Sequence, residues 1–500
     1  MNRRNTMRML TLLIALCMAI GCTASGSTAT TEAAQTAEAT AEATLITDST
    51  TEESAAENGG TPPDMPDGQG GTPPDGTPPD SNGGFGGNTA PGGSTSSFEY
   101  TAAAEITSAD TQVDQTYESS TADESALIIS TSDAVTITSP TVTKTGDSDG
   151  GDNCNFYGLN AAVLAKDGAS VTITGGTVNS SASGANGVFS YGGNGGSNGA
   201  AGDGTTVTIS DTVITTTGSG SGGIMTTGGG VTYADNLTVT TSGQSSAPIR
   251  TDRGGGWVYV DGGSYTSNGL GSPAIYSTAE IHVANATLVS NLSEGVCIEG
   301  KNSIELTNCD LTANNTQCNG NATFFDSIMI YQSMSGDADS GTSSFTMTGG
   351  TLTSKNGHIF HVTNTNAVIT LTNVTLVNED GENVLLSVCA DGWSGGSNIA
   401  TLNAVNQSLS GTILVGSDST LTLNLTDGST FTGTVSGEIT NVKGTAVSDS
   451  VGTVNVTLDD TSTWTLTGDT YITSFTGDAA NVISNGYTLY VNGVALTGTK

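Results

Sequence analysis

Beyond residue 21 the chain contains two arginines, Arg250 and Arg253, and both fall in SAPIRTDRGGG with Asp252 between them. A guanidinium is always charged and presents a planar fork that matches carboxylates. In a chain dominated by Thr, Ser, Gly and Asn, these are the residues that composition explains least. Two chemistries are open to them. They can hold sugar hydroxyls or uronic carboxylates as bidentate donors, or they can pair with acidic side chains and tie neighbouring segments together. Gly254, Gly255 and Gly256 suit either a close backbone approach to a ligand or a corner.

A second charged stretch, GDSDGGDNCNFYG, places Asp147, Asp149 and Asp152 within six residues. Carboxylates among flexible glycines can wrap Ca²⁺, although the spacing lacks the terminal Glu of an EF-hand loop; the alternative is a solvated turn. Asp337 and Asp339 form a weaker pair. His358 and His361 in KNGHIFHV lie three apart, which on a regular strand places them on opposite faces, one in the core and one solvated. His282 in IHV alternates outward. No Ser, His and Asp set stands out, because a chain rich in Ser and Asp offers apparent triads everywhere.

The side-chain balance excludes one class of partner. The whole chain carries a formal charge of −37; without Arg3, Arg4 and Arg8 it holds 8 basic against 48 acidic side chains, a balance of −40. Nucleic acid needs clustered cations that are missing here. Five cysteines follow Cys22 (Cys154, Cys297, Cys309, Cys318 and Cys389), with no CxxC pair, so a zinc site is not expected and at most two disulfides can form.

The first 21 residues read as an export signal, with a basic start and the apolar run MLTLLIALCMAI. Ala19-Ile20-Gly21-Cys22 resembles the lipobox of bacterial lipoproteins, in which cleavage precedes a lipidated cysteine. The alternative is an ordinary signal cut nearby. The resemblance implies an exported protein anchored by lipid on Cys22 at the outer face of the cell membrane, on the cell surface. Residues 22–96 hold eight of the eleven prolines and almost no large apolar side chain. Such a Thr/Ala/Glu-rich, then Pro/Gly/Asp-rich segment cannot bury enough surface to offset its entropy and is expected to be a disordered tether.

What must position the charged residues is a repeat. VTITSPTVT at 135 returns as VTITGGTVN at 171, VTISDTVIT at 207, VTYADNLTVT at 231, VYVDGGSYT at 258, IHVANATLV at 281, IELTNCDLT at 304, FTMTGGTLT at 345 and ITLTNVTLV at 369. The starts are 36, 36, 24, 27, 23, 23, 41 and 24 residues apart, a basic turn near 23 to 27 with insertions. Period-two alternation with β-branched residues means strands, and Gly-Gly or Asn between short runs means tight corners. A unit this small gains a core only by stacking on its neighbours. The expected fold is all-β: a right-handed parallel β-helix over residues 97–440, then terminal β rungs and a cap over 441–500. Trp464, Tyr471, Phe475 and Tyr487 would fill that cap. The rung pattern resembles the pectate-lyase-like superfamily of right-handed β-helix proteins, with its surface lipoproteins and adhesins, but no catalytic signature of that group is present.

If Ile249, Ile275, Ile298 and Ile330 point inward, the residues after them stack outward as Arg250, Tyr276, Glu299 and Tyr331, beside Asp252, Thr278, Lys301 and Ser333. That face would offer flat rings and charged groups to a polysaccharide or cell-surface glycan, with Ca²⁺ bridging acidic sugars. The alternative is a structural ladder of ion pairs, without ligand. Lyases of the resembling superfamily use a basic residue and Ca²⁺, which would cast Arg250 or Lys301 as base. The expected role is nevertheless non-enzymatic, adhesin-like or polysaccharide-binding; the competing ones are a lyase or glycoside hydrolase on acidic polysaccharide, and a plain surface stalk.

Overall fold

The computed structural model describes residues 98–195 and 201–500; the export signal, Cys22 and the tether lie outside the described residues. Up to residue 378 each turn of the chain runs through one strand of each of three parallel sheets, so each strand pairs with the third strand after it in sequence. The first sheet holds fifteen strands and the second fourteen among the described residues, and the third holds ten. The chain is a parallel β-helix.

The local cause is visible in a single phrase. In Ser170–Thr174 the side chains alternate, with Val171 and Ile173 buried and Thr172 facing out. Pairing is in register from rung to rung, so like stacks on like: Ile137 on Ile173, Ile173 on Ile209, Ile209 on Ala234, then Val260 and Val283. These inward columns form one continuous core along the coil.

Corners between the second and third sheets need a left-handed residue, and Asn, Asp or Gly supplies it: Asp211, Asn236, Gly262, Asn285 and Asn308 have φ of 51°, 50°, 69°, 54° and 51°. Short amides tolerate this conformation and β-branched residues do not. They also bond along the axis. Asn236 Nδ2 donates to Asp211 Oδ1 at 2.7 Å, and Asn285 Nδ2 to Asp261 Oδ1 at 2.7 Å. Asn285→Val is expected to destabilise the coil by about 1–2 kcal/mol, read by denaturant melts, while Asn285→Gly costs less because only the exposed bond is lost. Equal losses in both would mean that the bond, not the backbone, matters at this corner.

The third sheet ends at Thr375–Asn378. Thereafter strands lengthen to eight residues, as in Asn398–Val405, Ser408–Val415 and Ser419–Thr426, and each turn uses two sheets. The first sheet continues to Val482–Ile483. Trp464 is fully buried, 5.5 Å from Phe431, and Phe475 packs against the core. Tyr471 and Tyr487 do not fill the cap as expected: both are exposed, and Tyr471 stacks on Tyr490 at the surface.

Three of the insertions that lengthen the repeat cover the outer face of the first sheet. Residues 147–160 bring a short helix, Asp152–Phe156, against it, and Thr227 Oγ1 donates to Phe156 O at 2.6 Å. Phe324 and Trp393 descend from two later connections onto His361 and Tyr331, with ring centroids 4.9 Å apart in each case. The result is a roof with small apolar clusters of its own beneath it. The five described cysteines are free thiols; Cys318 is half-buried and the others buried.

Candidate functional site

The roof changes the setting of the residues singled out by sequence. Arg250, Asp252, Tyr276, Glu299 and Tyr331 do meet on the outer face of the first sheet, yet Tyr331 and Glu299 are fully buried and Arg250 is only 9% exposed. Arg250 Nη2 pairs with Asp252 Oδ2 at 2.8 Å, and Nη1 donates to Ser245 O at 2.8 Å and to Asn155 Oδ1 at 3.4 Å. Arg253 Nη2 pairs with Asp337 Oδ1 at 2.6 Å, its guanidinium 4.2 Å from the Phe156 ring centroid. Both arginines therefore grip roof loops. Lys301 stands apart, half-exposed and paired with Asp339 at 2.8 Å.

The expected column needs a correction in register. Tyr276 pairs with Cys297, and Ile298 with Ser277, so Glu299 lies two residues further along its strand than the alignment of isoleucines implied. It still reaches the tyrosines: Tyr276 OH donates to Glu299 Oε2 at 2.6 Å and Tyr331 OH at 3.0 Å, with Ser333 donating to the other oxygen. Burial raises the Glu299 carboxyl above its usual range, and burial and then Glu299 raise both phenols well above theirs. Burial lifts Asp252 to about 7 in spite of Arg250.

The three aspartates of the 147–152 loop separate. Asp147 Oδ1 accepts from Ser183 N at 2.8 Å, and Asp152 opens the roof helix near Asp337 and the arginines, its carboxyl raised by burial and then by Asp337. Among the described residues no three His, Cys, Asp or Glu side chains are arranged to hold a metal ion.

Under the later part of the roof lies a set that the sequence hid. The strand His358–Thr363 is irregular at its start, with Ile359 and Phe360 both against the core, so both imidazoles turn toward the roof instead of to opposite faces. Ser387 Oγ lies 2.7 Å from Nδ1 of each histidine. One hydroxyl carries one proton, so one imidazole must donate to it. His361 Nε2 stands 3.4 Å from Asp391 Oδ2, and Asp391 also accepts from Thr323 Oγ1 at 2.5 Å. Burial and then His361 lower His358 to about 3; burial pushes Asp391 up, but His361 and Thr323 outweigh it and hold the carboxyl low. Nearby, Glu294 and Asp326 are fully buried and both raised, first by burial. Ser387, His361 and Asp391 resemble a charge-relay set in residue types, but Ser387 and His361 are fully buried and no substrate reaches them.

The open site lies on the second sheet. Four successive rungs place Tyr233, Tyr259, His282 and Glu305 in one outward column. Tyr233 stacks on Tyr259 at 5.2 Å and 14°, and Tyr259 on His282 at 5.1 Å and 8°. His282 Nε2 lies 2.8 Å from Glu280 Oε1, and Nδ1 3.1 Å from Glu305 Oε2. With Asp235 and Asp261 of the next outward column they line a groove of about 390 Å³ that begins at Thr208. Thr208 precedes Tyr233 by one rung and carries no ring, so the stack ends there. Sequence reasoning foresaw His282 facing out but missed the tyrosines. The signal was present: Tyr259, His282 and Glu305 are the second residues of three consecutive phrases, and Tyr233 is the third of the phrase before, which begins one residue early in register.

No protein-family model, curated protein or solved structure matches this chain, and no helix among the described residues is long and apolar enough to cross a membrane.

Proposed function

We propose that this chain is a non-enzymatic, adhesin-like polysaccharide-binding protein of the bacterial cell surface, held by lipid on Cys22 and gripping glycan along the groove of the second sheet. The anchor rests on Ala19-Ile20-Gly21-Cys22, and the kinship with pectate-lyase-like β-helix proteins rests on the rung pattern. The observation that carries the binding role is the ladder of Tyr233, Tyr259 and His282 on an unroofed wall, with Tyr233 47% exposed. Flat apolar surface flanked by a few fixed polar groups is what a saccharide site requires. A lyase reading is disfavoured: Arg250 is buried and ion-paired, and Lys301 is engaged by Asp339.

Retention on insoluble polysaccharides tests the reading. Wild-type protein should be held by at least one glycan, and Tyr233→Ala with Tyr259→Ala should weaken retention on the order of 10-fold, about 1.4 kcal/mol. Unchanged retention in the double variant would place binding elsewhere.

A further inference from the structure

Resting on that reading, we propose that the polysaccharide carries free ammonium groups: a polymer of deacetylated amino sugar. Apart from His282, the charged side chains lining the groove are the carboxylates Asp235, Asp261 and Glu305, beside the hydroxyls of Thr208 and Thr307, and Glu280 adjoins His282. Asp235 and Asp261 pair as neighbours on adjacent rungs, about 4.8 Å apart, a spacing close to one sugar residue of an extended chain. Glu280 and Glu305 flank His282 with side chains 46% and 52% exposed. No lysine or arginine lines the groove.

Four carboxylates around three stacked rings repel one another, and the chain's charge of −37 adds to that field. A uronic-acid polymer would meet repulsion. A neutral glycan would gain ring contact and hydroxyl hydrogen bonds to the carboxylates, but no charge pairing. An ammonium gains a charge-assisted hydrogen bond to carboxylate and attraction to an aromatic face in the same groove. The carboxylates have room for it: Asp261 accepts from Asn285 through Oδ1, and Glu280 and Glu305 each meet His282 through one oxygen, whereas a carboxylate has about four acceptor sites.

Calorimetry on the full mature chain, at physiological salt and about pH 6, compares a glucosamine hexamer with its N-acetylated form, with cellohexaose, and with a galacturonate hexamer with and without Ca²⁺. The glucosamine hexamer should bind at least about 10-fold more tightly than the acetylated one. Asp235→Asn with Glu280→Gln and Glu305→Gln should erase that ratio, while Asp418→Asn with Glu438→Gln, exposed acids remote from the groove, should keep it. Tyr233→Ala with Tyr259→Ala leaves the charge untouched and should still lose the affinity; persistence there would mean general attraction to an acidic chain and overturn the proposal. Equal affinity for the acetylated or neutral hexamer, abolished by the tyrosine variant, would overturn the ammonium preference and leave the groove standing. Galacturonate binding only with Ca²⁺ would replace it with a cation bridge. Silence from every hexamer would remove the groove reading itself.

Discussion

Arg250→Ala is expected to loosen the roof over the first sheet at a cost of about 3–5 kcal/mol, the usual consequence of stripping one partner from a buried ion pair. Asp252 stays behind, with its side chain 6% exposed and its one ion-pair partner among the described residues gone. Two further ties vanish with the guanidinium, those to Ser245 O and to Asn155 of the roof. Amide hydrogen exchange localises the effect. The amides of Asn153, Cys154 and Tyr157, which bond within the roof loop, should exchange faster, and those of the third sheet should not. Arg250→Lys keeps a charge but not the fork, and should recover part of the protection. Undisturbed exchange at 153–157 in the alanine variant would show that the loop is held by Phe156 and Thr227 instead.

Raising the pH from about 5 to about 8 is expected to lower the melting temperature by at least ~2 °C, since one proton released over one pH unit amounts to about 1.4 kcal/mol. Burial raises Asp152, Asp252, Glu294, Glu299 and Asp326. The folded chain then holds protons that the unfolded chain releases, so stability falls as pH climbs from the ordinary carboxylate range, near 4, through the folded values, about 7 for Asp252. Groups held below their ordinary values act the other way; Lys144 and Asp459 are among them, together with His358, Asp391 and Asp167. His358, lowered to about 3, loses stability as pH falls below its unfolded value near 6.5. Asp391 and Asp167 are held low by hydrogen bonds that outweigh burial, and lose stability only as pH drops below about 4. Between pH 5 and 8 the five carboxylates outnumber the one histidine. Glu294→Gln with Asp326→Asn should flatten the profile and raise stability at pH 8. A melting temperature that climbs with pH would mean that these carboxyls are ionised in the folded chain.

The rungs were legible because each phrase states both its alternation and its corner: VTITGGTVN can stack inward only through Val171, Ile173 and Val178. Register in the first sheet was not. Val296 and Ile298 both face inward, so a slip of two residues preserves every facing and alternation cannot detect it. The segment before Val296 decides, and it has no counterpart in the phrase. The roof was illegible for another reason. Its loops are Ser, Gly and Asp in composition, and only isolated rings, Phe156, Phe324 and Trp393, mark them as chains that return to the sheet. The site expected from Arg250 and Glu299 combined the right neighbours with the wrong exposure, because two arginines in an acidic chain served to fasten loops. The groove could have been read from the second position of three phrases and the third of the one before, but rings on separate rungs form a surface only once the rungs are stacked.

The lengthened connections all border the first sheet, whereas the turns from the second sheet to the third stay short, closed by residues such as Asn236, Gly262 and Asn285. Variation in length is thus confined to one flank. Inserted residues can remodel or extend the canopy while the opposite flank keeps a fixed pitch, like the teeth of a rack, so the side chains of the exposed flank change by point substitution and the covering on the other by insertion.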